Sequence, residues 1–364
     1  MMDLKKFSSR SFDWVLMVAV LLLMAMGLEA IYSIDLSRNT GGAYFSKQLL
    51  AVGVGLFFVA IVSMVQHTVF HSSAKIWYVL SIFLLASVLV FGKSIRGTRG
   101  WFVFGGFSFQ PVEVAKLGVI LMLAYITSKF GRRFERPLYF VGTGIVVLVL
   151  MLLVMLQPDL GSAILLGIIW FGMMCLVGIH RRYLIILITA VLLVGTLGWK
   201  FYLNDLQKAR FTSFLNPEAD VLGSGYNVKQ SMIAVGSGQW FGKGVGRGSQ
   251  SQLRFLPEAQ TDFIFSVIAE EMGFVGVVVF LCLFGIILWR LLLIMRNSRN
   301  DFSVLTVGGI CILLFSQFFI NVGAEIGILP LTGVTVPFVS YGGSSMLINL
   351  IMIGIAESMI VRKY

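Results

Sequence analysis

The sequence predicts an all-α polytopic membrane protein, a bundle of ten transmembrane helices. Of its 364 residues 58% are hydrophobic and only 12% are charged, and the mean hydropathy is +0.92. This composition excludes an ordinary soluble globular protein. Backbone polar groups find no water in hydrocarbon, so apolar runs of about 20 residues are expected to cross it as helices. Lysine and arginine also concentrate in alternate loops, as in multi-pass membrane proteins.

Ten apolar runs account for most of the chain and leave no second soluble domain, so residues 1–364 are expected to form a single transmembrane domain. The runs are 14–33, 44–65, 76–92, 112–128, 138–156, 160–179, 183–201, 263–289, 303–324 and 342–360. The first run is too long for a cleavable signal and nine more follow it, so it is also expected to span the membrane.

The loop charges predict the orientation. An even number of spans puts both termini on one side, and fifteen lysines and arginines lie in the termini and short loops of that side. The short loops opposite hold five, at Arg38, Lys47, Lys93, Arg96 and Arg99. The positive-inside rule therefore predicts cytoplasmic termini in the cytoplasmic membrane. The net charge of +11 then reflects orientation and anionic lipid rather than nucleic-acid binding.

Three connecting segments on the outer side are unusual. Residues 93–111 mix aromatics with glycines, as an interfacial loop does. Loop 204–261 is far longer than an ordinary connection, and within it 226–235 has near-helical apolar spacing that suits a helix lying on the bilayer. Residues 327–343 contain two prolines and four glycines, so the backbone there should be irregular and either buried in protein or lining a wet cavity.

Ionisable residues cluster near the predicted outer ends of the spans, at Glu113, Lys116, Asp159, Asp262 and Glu325. A charge inside a span costs about 2.5–3.5 kcal/mol on insertion scales, so such residues usually mark function. Because Asp262 precedes span eight, it either caps that helix or serves as a base for a substrate hydroxyl. Glu270 and Glu271 should lie about 12 Å deeper. This acidic column suggests a hydrated cavity.

The other ionisable residues of this group could have either structural or functional roles. Glu113 and Lys116 are three residues apart and share one helix face, so they form either an internal ion pair or a substrate-orienting pair. Asp159 follows Pro158, is expected to cap span six, and has Lys116 as its natural partner.

A basic, glycine-rich stretch in the long loop could contact an anion. Residues 242–248 read GKGVGRG, which resembles a phosphate-cradling loop but matches neither the P-loop nor the dinucleotide fingerprint. The nearby cations that would suit a pyrophosphate are Arg210, Lys243, Arg247 and Arg254. The three cysteines lie within spans and the histidines lie apart from the buried acids, so no metal site is assigned.

Several longer motifs occur in a characteristic order: FQPVEVAK at 109–116, QPDLG at 157–161, FLNPE at 214–218, FLPE at 255–258, TDFIF at 261–265 and PFVSYGGSS at 337–345. With them the chain resembles the SEDS family (shape, elongation, division and sporulation proteins) almost from end to end. The stretches 214–217, 242–244 and 250–253 favour its elongation branch. The first outer loop departs from the pattern, since Gly100 precedes Trp101 where many relatives have arginine, and Val112 stands where serine is common.

The resemblance implies a peptidoglycan glycosyltransferase that polymerises lipid II, an undecaprenyl-pyrophosphate disaccharide-peptide, into β-1,4-linked strands on the outer membrane face. Asp262 matches the family's essential acid and is implied to deprotonate the acceptor 4-hydroxyl in an inverting reaction. Glu113, Lys116, Asp159 and Glu258 carry over as supporting residues. The implied partner is a class B penicillin-binding protein, a transpeptidase, within the elongation machinery.

The resemblance implies no nucleotide or other cofactor, although a divalent cation could assist pyrophosphate departure. Two alternatives remain open. A lipid II flippase would explain the deep acids and the broken segment 327–343, but it predicts polar residues in both halves of the bundle. A non-catalytic scaffold that recruits a cell-wall partner would leave the outward acids without a role.

Overall fold

The computed structural model describes residues 12–38, 41–95, 97–105, 107–130, 137–178 and 223–360, with scattered residues between 180 and 215. The helices are α1 Trp14–Arg38, α2 Ala43–Met64, α3 His67–Phe91, α4 Pro111–Phe130, α5 Pro137–Met155, α6 Leu160–Val177, α7 Ser224–Ser237, α8 Ser249–Gln252, α9 Ile264–Asn297, α10 Asp301–Glu325 and α11 Gly343–Ser358. The strands are β1 Lys93–Ile95, β2 Thr98–Phe104 and β3 Phe107–Phe109.

The helical bundle confirms a multi-pass membrane fold. Eight of the described helices, α1 to α6, α9 and α10, are long and apolar enough to cross a membrane, and α11 is a shorter apolar helix. These nine match nine of the predicted spans. The predicted seventh span, 183–201, falls largely outside the described residues, as does loop 204–261 before Gly223, so the count of ten remains a prediction.

Two helices form the centre of the bundle. In α4 and α10, 78% and 72% of the apolar stretch is buried, compared with 50% or less in the other long helices. α10 packs against α4, α6 and α9, while α11 packs mainly against α2. The central helices also carry the buried polar residues Glu113, Lys116, Gln317, Asn321 and Glu325. Protein, rather than lipid, therefore surrounds these polar groups.

One end of the bundle carries Asp262 and the irregular segment 327–342, and we call it the site end. There α1, α3, α5 and α10 end, and α2, α4, α6, α9 and α11 begin. Between α3 and α4 the chain forms an antiparallel sheet in the order β1-β2-β3. The sequence predicted an interfacial loop here, and the sheet is an addition to that prediction. Its aromatic and β-branched residues favour strands, and glycines with positive φ, Gly97 and Gly105, lie between them.

The helix α9 is broken near the site end, and a loop fills the break. Gly273 has φ 67° and ψ −164°, which frees backbone groups on both sides of it. The amides of Phe274 and Val275 donate to the carbonyls of Gln239 and Trp240, at 2.7 and 3.1 Å. The amides of Lys243 and Gly244 donate to the carbonyls of Glu270 and Glu271, both at 3.0 Å. Residues 239–244, which we call the inserted loop, thus satisfy the groups that the break exposes.

The helix predicted at 226–235 is present as α7, whereas its position on the bilayer stays a prediction. It packs along α9, with Ser231 and Ala234 fully buried on the facing side. Met232 and Ile233, on its other side, remain exposed. α7, which is part of the long loop, is thereby held against the first turns of α9.

Candidate active site

Asp262 lies at the site end, in the turn that leads into α9, and its side chain is half-buried. Phe263 occupies the N-cap position of α9, and Asp262 precedes it by one residue. The backbone amide of Asp262 donates to the carbonyl of Glu258 at 3.1 Å, and its carbonyl accepts from Asn321 Nδ2 at 3.1 Å. The backbone at this position is therefore anchored on both sides.

The irregular segment 327–342 passes beside Asp262. Gly333, which has φ 74°, lies so close that an added Cβ would be 4.0 Å from Asp262 Oδ2. Asn321 Nδ2 donates to the carbonyls of both Asp262 and Val334, the latter at 2.8 Å. The Ser340 hydroxyl donates to the carbonyl of Thr261 at 2.8 Å. The expectation that this segment is buried in protein is confirmed for 336–340, whose residues are all buried.

Other helices hold the same segment in place. From α2, Gln48 Nε2 donates to the carbonyl of Ser340 at 3.1 Å, and Gln48 Oε1 accepts from the amide of Gly342 at 3.1 Å. Gly161, in the first turn of α6, lies against the carbonyl of Thr332. The segment thus joins α2, α6, α9 and α10 around Asp262.

Glu113 and Lys116 form an ion pair in the first turns of α4, with Lys116 Nζ 2.7 Å from Glu113 Oε1. Both side chains are buried. Glu113 Oε2 is also buried and has no hydrogen-bond partner. One oxygen of this carboxylate therefore remains as an acceptor for a group that the protein itself does not supply.

Asp159 caps α6, as the sequence analysis expected. It accepts hydrogen bonds from the amide of Ser162 at 3.0 Å and from its hydroxyl at 2.7 Å. The expected pairing of Asp159 with Lys116 is wrong, since Lys116 binds Glu113 on its own helix. An i, i+3 partner is reached without displacing a helix, whereas Asp159 is already engaged by the amide at the start of α6.

Glu258 contributes to the turn that carries Asp262. Its φ is 54°, and its carbonyl accepts the amides of Thr261 and Asp262 at 3.0 and 3.1 Å. Its side chain accepts from Gln260 Nε2 at 3.2 Å. The arrangement fits a supporting role, exerted through the backbone of the turn.

The glycine-rich loop uses its amides within the protein. Besides the Lys243 and Gly244 amides in the helix break, the amide of Gly246 donates to Glu271 Oε1 at 3.2 Å. The Lys243 ammonium lies 3.1 Å from Glu270 Oε1. These groups are therefore occupied, as are the amides of Gly242 and Arg247, which donate to the carbonyls of Gly238 and Gly244.

Among the other candidate cations, Arg247 and Arg254 are exposed, and Arg254 donates to the carbonyl of Ser37 at 3.1 Å. Arg210 lies outside the described residues. The first outer loop has its own arginine, Arg99, whose guanidinium donates to the carbonyls of Val90 and Gly92 at the end of α3. That contact ties the sheet to the bundle.

The acidic column expected below Asp262 does not line a hydrated cavity. Glu270 is fully buried and accepts hydrogen bonds from the loop that follows α7, including the amides of Gln250 and Ser251 at 2.9 and 3.2 Å. Glu271 accepts from the hydroxyl of Ser33 on α1. The break at Gly273 draws the loop against these carboxylates, so they hold protein rather than water.

Several polar residues at the site were not singled out from the sequence. Gln48, Ser231, Ser266 and Asn321 all lie within or beside apolar runs, and only their contacts show their purpose. Glu325, at the end of α10, was noted for its position. The structure places it fully buried, with Oε2 2.7 Å from the amide of Ser266, one helical turn beyond Asp262. The sequence signal that could have identified these residues is a polar side chain inside an apolar run.

Among the described residues, no three histidine, cysteine, aspartate or glutamate side chains converge as metal ligands. The site end thus carries one half-buried carboxylate beside a glycine, an anchored turn and a second, buried carboxyl, and a buried ion pair with a spare oxygen lies in the first turns of α4 at the same end. Such an arrangement can accept a proton from a bound hydroxyl group.

The fold and this site define a multi-pass integral membrane protein with a polar site at one end of its bundle. The sequence model of the cell cycle protein family FtsW/RodA/SpoVE matches residues 13–363. The chain is 36% identical over 342 residues to the peptidoglycan glycosyltransferase MrdB of Escherichia coli K12, covering 93% of this chain and 91% of MrdB. The protein therefore belongs to the FtsW/RodA/SpoVE family, the SEDS family that its motifs indicated.

Solved structures agree with this assignment. A chain from a peptidoglycan synthase complex that coordinates polymerization and crosslinking superposes with a TM-score of 0.82, at 32% identity, with 95% of this chain and 96% of that chain covered. The rod shape-determining protein RodA of Thermus thermophilus superposes with a TM-score of 0.71, at 30% identity and the same coverage. The resemblance to the elongation branch is thereby confirmed.

Proposed function

We propose that this protein is a peptidoglycan glycosyltransferase that polymerises lipid II on the outer face of the cytoplasmic membrane, with Asp262 as the general base. The observation that carries the proposal is the position of Asp262 at the site end, in the anchored turn before α9 and beside Gly333, where the residue is half-buried. The name of the E. coli relative, a peptidoglycan glycosyltransferase at 36% identity, supports the reaction class.

In the proposed reaction, the Asp262 carboxylate takes the proton of the acceptor 4-hydroxyl. The oxygen attacks the anomeric carbon of the donor, and the bond from that carbon to the pyrophosphate oxygen breaks. Undecaprenyl pyrophosphate leaves, and inversion of the α-linked donor gives a β-1,4 bond. The energy comes from the activated donor, so the step needs no nucleotide.

The other site residues have supporting roles in this proposal. The Glu113–Lys116 pair offers a buried oxygen, Glu113 Oε2, to a donor group of the substrate. Exposed Arg247 and Arg254, with Arg210, are the proposed contacts for the pyrophosphate. A divalent cation at the pyrophosphate is a further element of the proposal, and no step depends on it.

The proposed partner is a class B penicillin-binding protein, which would crosslink the strands that this chain makes. A structural neighbour from a complex that coordinates polymerization and crosslinking supports it. Both termini are proposed to be cytoplasmic, which places Asp262 on the outer side.

The test is strand synthesis from labelled lipid II by purified, reconstituted protein, alone and with the transpeptidase. We expect Asp262→Asn to abolish polymer formation with unchanged thermal stability. The matched control is Asp301→Asn, which removes an exposed carboxylate at the other end of the bundle and should retain activity. Unchanged synthesis by Asp262→Asn would refute the assigned base. Lipid II translocation without polymer would favour a flippase instead.

A further inference from the structure

Behind Asp262, a chain of short oxygen contacts joins three helices. Glu325 Oε2, on α10, is 2.6 Å from the hydroxyl of Ser266 on α9. That hydroxyl is 2.6 Å from the hydroxyl of Ser231 on α7. The Ser231 hydroxyl in turn donates to the backbone carbonyl of Glu325 at 2.7 Å. The chain thus begins and ends on the same residue.

Counting protons along this chain specifies the state of the carboxyl group. Each contact has the length of an O–H···O hydrogen bond, so each needs one proton. The terminal carbonyl can only accept, so Ser231 uses its proton there. Ser266 must then donate to Ser231, which leaves no hydroxyl proton for the contact between Ser266 and Glu325 Oε2. The missing proton has to come from the carboxyl group of Glu325 itself.

The surroundings of Glu325 favour the same state. The residue is fully buried, and none of the ion pairs among the described residues includes it. Its second oxygen, Oε1, is buried without a hydrogen-bond partner. A neutral acid tolerates this far better than a carboxylate does, because burying an unpaired charge is costly. Asp262 supplies a negative charge close enough to act on Glu325.

The opposing influence is the start of α9, whose amides favour an anion. The Ser266 amide donates to Glu325 Oε2 at 2.7 Å, and the neighbouring Phe265 amide also favours the anion of Glu325. A carboxylate would keep this bond, but Ser266 would then donate to it. The Ser231 hydroxyl has only one proton but would then have two neighbouring acceptors, the Ser266 hydroxyl oxygen and the Glu325 backbone carbonyl. One of these two contacts, both within 2.7 Å, would therefore have no proton between its oxygens. The hydroxyl of a protonated acid also accepts the amide, so the neutral form satisfies every contact.

We propose that Glu325 is a positioning residue of the Asp262 site and is held there as a neutral, protonated acid. It joins the middle of α7 to the start of α9 and the end of α10, and it adds no second negative charge beside the Asp262 carboxylate. A second charge would repel an anionic pyrophosphate and favour the protonated form of Asp262. The link to catalysis rests on the proposed function, whereas the protonation state is measured without it.

The elements packed around Glu325 carry further ionisable groups. On α4, Glu113 pairs with Lys116. On α9, Glu270 pairs with Lys243, and Glu271 accepts from Ser33 and from the amide of Gly246. α7 carries Tyr226 and Lys229, and the segment 327–342 carries Tyr341.

Infrared spectroscopy of the whole purified protein, with isotopically labelled glutamate, tests the protonation state. We expect the wild type to show the carbonyl stretch of a protonated glutamic acid at the pH of the activity assay. Glu325→Gln should remove that band, whereas the control Asp301→Asn should keep it. A wild-type spectrum without the band, or a band that survives Glu325→Gln, would overturn the proposal.

A second measurement tests the positioning role. Ser231→Ala removes the end of the chain, so Ser266 is free to donate to Glu325 and the carboxylate becomes possible. We expect the acidic limb of the kcat/KM profile for lipid II polymerisation to move to higher pH, because a second charge then favours protonation of Asp262. Adding Glu325→Gln to Ser231→Ala should return the profile to that of the wild type.

The control for this series is Ser316→Ala, since the Ser316 hydroxyl donates only within α10, to the carbonyl of Ile312. Its profile should match the wild type. If Ser231→Ala leaves both the profile and the infrared band unchanged, the positioning role is refuted. Because the band does not depend on turnover, loss of the proposed glycosyltransferase activity and loss of this inference are distinguishable.

Discussion

Asp159 and Asp262 both precede helices at the site end, but only Asp159 occupies the N-cap position of its helix. Its carboxylate binds the amide of Ser162, which is the usual reason for an aspartate at this place. At the start of α9 the Ser266 amide is served by Glu325 from another helix. Asp262 lies one residue before the N-cap position of α9, at the place assigned to the proposed base.

The capping role of Asp159 makes a direct prediction. Asp159→Ala should lower the free energy of unfolding by about 0.5–2 kcal/mol, because the Ser162 amide loses its acceptor. Asp159→Asn keeps a capping oxygen and should remain near the wild type. Thermal unfolding of the purified protein measures both. If Asp159→Asn were as damaging as Asp159→Ala, the charge rather than the cap would be the important property.

Two variants of the Glu113–Lys116 pair distinguish a structural role from a substrate-orienting role. Lys116→Ala leaves a buried carboxylate without its partner, so we expect a loss of about 3–5 kcal/mol in stability and a loss of activity. The double variant Glu113→Gln with Lys116→Met removes both charges and should recover most of the stability. Unfolding and strand synthesis are measured on both variants.

Recovered stability together with recovered activity would mean that the pair only holds α4 in place. Recovered stability with activity still lost would assign the pair, including Glu113 Oε2, to the substrate.

At the scale of elements, the break in α9 explains why the long loop is rich in glycine near residue 242. A Cβ at Gly273 would overlap the backbone nitrogen of Gly242, and the φ and ψ of Gly273 are almost restricted to glycine. The inserted loop then brings Lys243 to Glu270 and the following residues to the same carboxylate. One helix break thus fixes the long loop relative to Asp262.

Gly273→Ala should therefore destabilise the protein by about 1–3 kcal/mol and lower its activity, since the inserted loop can no longer fill the break. Gly285→Ala, on the same helix, is the matched control. An added Cβ there meets no neighbour, so its stability should equal or exceed that of the wild type. Thermal unfolding and limited proteolysis of the loop give the readout. Equal behaviour of the two variants would contradict the proposed coupling.

At the scale of the whole molecule, the polar groups lie on central helices and toward the site end, where α2, α6, α9 and α10 meet segment 327–342. The opposite end has a smaller cluster, in which Arg290 NH2 binds Asp13 Oδ2 at 2.7 Å and Glu357 accepts the amide of Asp13. That cluster ties α9 and α11 to the start of α1. The asymmetry suits a reaction at one membrane face.

The proposed orientation predicts which loops a membrane-impermeant maleimide can reach. In a protein whose native cysteines are replaced, Val245→Cys in the exposed long loop should be labelled in intact cells. Arg299→Cys, exposed between α9 and α10, should be labelled only after lysis. The reverse pattern would place Asp262 in the cytoplasm, away from an outer-face substrate, and would refute the proposed localisation.

Much of this architecture was predictable because spans depend on local composition. A run such as 303–324 is apolar enough to be recognised without its neighbours, and α10 occupies it as Asp301–Glu325. The helix α7 and the cap at Asp159 also follow from short-range patterns. Three features could not be predicted from short-range patterns: the sheet β1-β2-β3, the break at Gly273 and the partner of Lys116. Each depends on which groups another segment leaves unsatisfied.

The sequence by itself determined the class of fold, the family and the choice of Asp262, because hydropathy and ordered motifs are properties of the chain alone. Only the tertiary structure decided that Glu270 and Glu271 accept hydrogen bonds from the long loop and from α1, and that the glycine-rich loop fills a helix break. It alone placed Glu325 behind Asp262. The reason is physical: a buried polar group must find its partner wherever packing brings one, and that partner is usually distant in sequence.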